Sequence, residues 1–204
     1  MSNTGLVHMM AYFFFDFKDE EKQDARALLV SLLSQLSNQS DSFCDILHRC
    51  YLTHQSGSLQ PQENALTNCL EDMVRVSENI PIYLIVDALD ECPNTSGITS
   101  PRDEVLNLVK GLVELDLPNL HLCVTSRPEF DIGRSLEPLT TTSTDPLTTT
   151  TTFTRINLHD EHGQKHDIEK YIRSVVYSDA YVVGWKDEDK RLVVETLSDK
   201  ADGM

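Results

Sequence analysis

The chain has 204 residues, a formal net charge of −16 and 40% hydrophobic residues, with a sequence pI near 4.6; this is room for one ordinary α/β domain, or a domain plus part of another. Such acidity argues against a nucleic-acid binder, whose affinity rests on clustered Lys and Arg, and leaves the binding of a single nucleotide open. The five cysteines, Cys44, Cys50, Cys69, Cys92 and Cys123, are odd in number and lack a CxxC pair, so reduced thiols in a cytosolic protein are expected.

Near the N-terminus the apolar run Met9 to Phe15 is short, is broken by Asp16 and has no basic leader, so neither a signal peptide nor a membrane span is expected. Ala11 to Phe17 is aromatic-rich and predicts a strand. From Asp19 the period changes. Ala25, Leu28, Leu29, Leu32, Leu33 and Leu36 mark an amphipathic helix with an acidic first turn. Gln55 to Gln62 predicts a loop, and Ala65, Leu66, Cys69, Leu70, Met73 and Val74 a second helix. Pro81 opens the run Ile82 to Val86, branched or aromatic without polar alternation, which suits a strand covered on both faces of a parallel sheet.

Ser100-Pro101-Arg102-Asp103 is a helix start, with a capping hydroxyl, a first-turn proline and an early acid. Leu120 to Thr125 predicts another buried strand, stopped by Pro128. Strands alternating with helices imply a parallel sheet with right-handed crossovers. Residues 139–154 are mostly threonine, with Ser143, Asp145 and Pro146 among them, and predict a surface insertion without a core of its own. Phe153 to Leu158 predicts a short strand; Ile168 to Val175 and Trp185 to Leu197 predict two further helices.

The strand at Ile82 ends in Asp87-Ala88-Leu89-Asp90-Glu91, three carboxylates at the C-terminal edge of a parallel sheet, where ligands usually sit and where an acid can hold Mg²⁺ directly or through water. Asp87 is the candidate metal ligand. His159, His162 and His166 with Asp160 and Asp167 could be drawn as a metal cluster, but the spacing reads better as solvated turns.

Tyr83 to Pro93 together with Leu122 to Pro128, flanked by Phe15-Asp16-Phe17-Lys18-Asp19 and Leu197 to Met204, strongly resemble fungal NACHT domains of the nephrocystin N-terminal type, which are signal-transducing P-loop NTPases of the STAND class. The resemblance implies a three-layer α/β core over residues 1–158, with the Thr-rich insertion inside it and a helical extension beginning at 159–204. It implies Mg²⁺ and ATP or GTP as cofactors, with Asp87 as the Mg²⁺-coordinating acid. Asp90 and Glu91 would orient or deprotonate the attacking water, and Arg127 would contact the terminal phosphate. These are the parts phosphoryl transfer requires.

Such a site also needs a glycine-rich loop whose N–H groups cradle phosphates, and no Gly-x-x-x-x-Gly-Lys occurs in the 204 residues. The resemblance places that loop and its strand before the aromatic strand, so the core is expected to be truncated, weak or inactive toward nucleotide. It is also expected to carry an unpaired row of strand backbone groups beyond the Arg127 strand. Two function classes follow: a nucleotide-switched signalling module, impaired as it stands, or a non-enzymatic decoy or scaffold acting through protein partners or self-association. Arg127 has a plainer alternative, a surface arginine paired with Asp131.

Overall fold

A computed structural model describes residues 8–54, 59–77, 80–95, 99–137, 154–156, 162–182 and 184–200, with backbone alone at 162–165. Three strands, β1 (Met9–Phe14), β2 (Ile82–Asp87) and β3 (Leu120–Val124), lie side by side in the order β1-β2-β3, all parallel. Met9 stands beside Ile82 and Phe14 beside Asp87; Val86 stands beside Val124.

Both crossovers step in the same direction across this sheet. Right-handed connections therefore put their helices on the same face. The burial pattern agrees: Met9, Ala11 and Phe13 of β1 and Ile82, Leu84 and Val86 of β2 are buried, while the alternate residues Met10, Tyr12, Phe14 and Tyr83 are 41–50% exposed. The expectation of a strand covered on both faces is thus corrected. Among the described residues the sheet has two layers, because consecutive strand order contains no reversal that would send a helix to the opposite side.

The covered face packs on α1 (Ala25–Ser37), α2 (Asp41–Thr53), α3 (Glu63–Val76) and α4 (Pro101–Glu114). In α1 the leucines 28, 29, 32, 33 and 36 are all buried, as their spacing predicts. The helix starts later than expected: Asp24 caps it, its carboxylate accepting the Ala27 N–H at 2.7 Å, and the acids of residues 19–21 belong to a separate 3₁₀ turn at Glu20–Lys22 capped by Asp19. Helix α2 was not anticipated. Its inward stripe is short, Phe43 and Ile46 buried with Leu47 and Cys50 half-buried against the core.

Helix α4 begins as predicted, with a reciprocal capping box. The Asp103 N–H donates to Ser100 Oγ at 3.1 Å and the Ser100 N–H to Asp103 Oδ2 at 3.1 Å. The Ser100 N–H, then its hydroxyl, hold the Asp103 carboxyl below the usual carboxylate range. Ser100→Ala is expected to lower stability by about 1 kcal/mol in a denaturant titration; an unchanged midpoint would show that the cap contributes nothing.

The chain divides into two compact units, 1–153 and 154–204. In the second, α6 (His162–Ser178) and α7 (Asp187–Lys200) pack on each other, burying Val176 and Val194. Trp185 precedes α7 and does not belong to it. Of the strand expected at 153–158 only 154–156 are described, and they form none. The Thr-rich tract, apart from Thr154, and the His159–Asp160 pair lie outside the described residues.

Candidate functional site

The three strand ends and the loops that follow them form one edge. After β2 the chain turns abruptly because Ala88 adopts the left-handed conformation, φ 55° and ψ 46°. That conformation is costly for a residue with a Cβ and is found mostly where the surroundings impose it. It sends the chain at once into a 3₁₀ turn, Leu89–Glu91, whose Leu89 is fully buried and whose Leu89 N–H donates to Thr125 O at 3.0 Å. The acids after Asp87 are therefore folded back against the end of β3.

Each predicted residue can now be placed. Asp87, half-buried at the end of β2, accepts a short hydrogen bond on Oδ1 from the Thr125 hydroxyl, and that hydroxyl in turn accepts the Ala88 N–H at 3.1 Å. Asp90 is more engaged: Oδ1 accepts the Arg127 N–H at 2.9 Å, and Oδ2 lies 3.5 Å from Arg127 Nε. The side chain of Asp90 is 9% exposed and that of Arg127 77%. The backbone bond ties the two loops together; the exposed ion pair adds little and leaves the guanidinium able to swing toward an anion. Glu91 reaches the other way, its Oε2 accepting the Phe17 N–H at 3.3 Å. One 3₁₀ turn thus pins the loop after β1 and the loop after β3.

Asp131 is not the partner of Arg127. It pairs instead with Arg102 of α4, Nη1 to Oδ2 at 3.0 Å, and also accepts Asn94 Nδ2 at 2.9 Å. Arg102, 8% exposed, donates further from Nε to Cys92 O at 2.9 Å and from Nη2 to Asp90 O at 2.6 Å. It clamps the acid turn from beneath. Sequence reasoning missed this residue, although a signal existed: a cation in the first turn of a helix opposes the helix dipole, which points to a specific partner elsewhere. Thr125 was missed as well, although it immediately follows β3, whose Val124 stands beside Val86, the residue before Asp87.

Cys92 follows the turn, fully buried, its thiol donating to Gln23 O at 3.3 Å. Burial pushes it from the usual 9.0 up to about 12, as it does Cys69. Both thiols stay protonated in the folded chain and ionise first in the unfolded one, so the stability they contribute is complete below about pH 9 and is lost as pH rises toward 12. Alkylation at pH 8 is expected to modify the exposed Cys44 and Cys123 quickly and Cys69 and Cys92 only on unfolding, as peptide mapping would show.

Mg²⁺ demands near-octahedral oxygen ligands and usually takes one or two protein carboxylates, the rest coming from water and phosphate. Asp87 offers one such carboxylate, and among the described residues no group of three or more His, Cys, Asp or Glu is placed to hold a metal. No described helix is long and apolar enough to cross a membrane.

A family model described as nephrocystin 3, N-terminal, matches residues 2–127, spanning all three strands and the acid turn. No curated protein and no solved structure matches the chain.

Proposed function

The chain belongs to the nephrocystin 3 N-terminal family, and from that premise we propose that its strand edge is the metal- and water-positioning half of a NACHT-type, STAND-class nucleotide switch in a cytosolic signalling protein. The observation that carries this reading is Asp87 held at the end of β2 by Thr125, with Asp90 and Arg127 locked beside it by a backbone bond. Asp87 would meet Mg²⁺ bound to a nucleoside triphosphate, the metal supplying charge on the phosphate oxygens. Arg127, mostly exposed, would meet the terminal phosphate. Asp90 is better suited to fixing Arg127 than to activating water, since both its oxygens are engaged; Glu91, bonded through one oxygen to Phe17 N–H, keeps the other for water.

The phosphate-cradling loop is not among these 204 residues, so binding by this chain is expected to be weak, with Kd near or above about 1 mM, some 4 kcal/mol. NMR titration with Mg-ATP and Mg-GTP tests both points. Shifts confined to residues 87–91 and 125–127, lost in Asp87→Asn, are the expected result. Micromolar affinity would overturn the claim of impairment; no response at this edge at about 10 mM ligand would overturn the site. The second reading, an interaction module, draws on a different observation, the uncovered face of the sheet.

A further inference from the structure

Two of the five cysteines meet across a seam between helices. The inward stripe of α2 runs Phe43, Ile46, Leu47, Cys50, and that of α3 runs Leu66, Cys69, Leu70, Met73, each at three- and four-residue spacing. Because α2 packs on α3, Cys50, near the end of the one, lies against Cys69, in the second turn of the other. The contact is direct. Burial, and then the Cys50 thiol beside it through charge and a hydrogen bond, push the Cys69 thiol up to about 12.

The two sulfurs differ in access. Cys69 is buried, whereas Cys50 is half-buried and bordered by His54, whose Nδ1 lies 4.0 Å from its Sγ and 2.7 Å from its carbonyl oxygen. The other three cysteines are placed elsewhere. Cys44 is exposed, six residues back on α2 and so about 120° round the helix from Cys50. Cys123 is exposed on β3, and Cys92 is fully buried with its thiol donated to Gln23 O at 3.3 Å.

We infer that Cys50 and Cys69 are a reversible thiol pair, oxidised by peroxide in the native fold to a disulfide that staples α2 to α3. Peroxide meets the accessible Cys50 first. The Cys50 sulfur bonds to one peroxide oxygen, the O–O bond breaks, and the thiol proton leaves with the second oxygen as water, so that Cys50 becomes a sulfenic acid. The Cys69 sulfur then attacks Cys50 Sγ: the S–S bond forms, the S–O bond breaks, and the Cys69 proton departs with the hydroxide as a second water. Two thiols lose two electrons and the peroxide gains them. Cys69 suits the second role, since it is kept protonated and out of solvent yet needs no diffusion to reach its neighbour. Where glutathione keeps thiols reduced such a bond is transient, and it would mark oxidation and then lapse. Neither cysteine belongs to the acid turn or bonds to it, so failure of the nucleotide reading leaves the pair untouched.

The test is to treat the chain carrying Cys44→Ser and Cys123→Ser, which retains Cys50, Cys69 and Cys92, with hydrogen peroxide near neutral pH. Non-reducing peptide mapping should find Cys50 joined to Cys69 and Cys92 still a free thiol, and dithiothreitol should restore both partners. Closing a loop of about 20 residues should raise Tm by roughly 6 to 12 °C, a shift that Cys50→Ala in the same background should not show. The parent chain with all its cysteines, mapped in the same way, keeps the result independent of how well any variant folds. Oxidation of Cys50 without Cys69, a bond to Cys92 instead, a cross-link that forms only in urea, or an unchanged Tm in the cross-linked chain would each overturn the proposal.

Discussion

Arg102→Met is expected to destabilise the chain by about 3 kcal/mol, because the guanidinium satisfies two backbone carbonyls, Cys92 O and Asp90 O, that no other group bonds, and pairs with the Asp131 carboxylate. Each buried acceptor left bare costs about 1 to 3 kcal/mol. The Asp131 carboxylate is 32% exposed, so water recovers part of its share and the ion pair is discounted accordingly. For a chain of this length the loss corresponds to a fall in Tm of roughly 6 to 12 °C. Arg102→Lys keeps the charge but lacks the fork that reaches Cys92 O, Asp90 O and Asp131 together, so it should recover less than half. Hydrogen exchange adds a local readout: the Leu89 and Arg127 N–H groups, which hold the acid turn to β3, should lose protection before the core helices do. A loss below about 1 kcal/mol would mean that the acid turn stands without its clamp, in the range of an ordinary surface substitution.

That clamp illustrates what the sequence made legible. Strand β2 and its acids could be read because an apolar run ending in carboxylates leaves few alternatives, and α1, α3 and α4 because their buried stripes are long. Helix α2 and α5 (Phe130–Leu136) were not read. The stripe of α2 is brief, and α5 has seven residues with only Ile132 buried, so periodicity carries too little signal over so short a span. The partners of Asp87, Asp90 and Asp131 were illegible for a different reason. The hydrogen bonds from Thr125, Arg127 and Arg102 to these acids join residues 12 to 38 positions apart, and only the register of the sheet and the placement of α4 bring them together. The bare face was misread because an unbroken apolar strand normally signals cover on both sides. Strand order, which cannot be read from one strand, decides the matter.

Neighbouring residues of β2 should therefore respond to truncation to very different extents. Leu84, at the centre of the middle strand, is fully buried in the core cluster; Leu84→Ala removes methyl groups from a close-packed layer and leaves a cavity that the surrounding core only partly fills. A loss of about 3 to 4 kcal/mol is expected from the range for buried leucine. Tyr83, one residue earlier, points to the other face and is 41% exposed, its ring stacked on His121 at 4.7 Å between centroids. Tyr83→Ala gives up that contact, worth about 0.5 to 1.5 kcal/mol, and little burial, so about 1 kcal/mol is expected although the deleted group is larger. Were the sheet covered on both faces, the tyrosine would sit in a second core and its truncation would cost about 3 to 5 kcal/mol, as for other buried aromatics. Paired urea titrations of the two variants, performed at low protein concentration so that self-association does not contribute, measure the difference directly. A tyrosine loss equal to the leucine loss would show that something covers this face in solution, and the one-sided sheet would have to be abandoned.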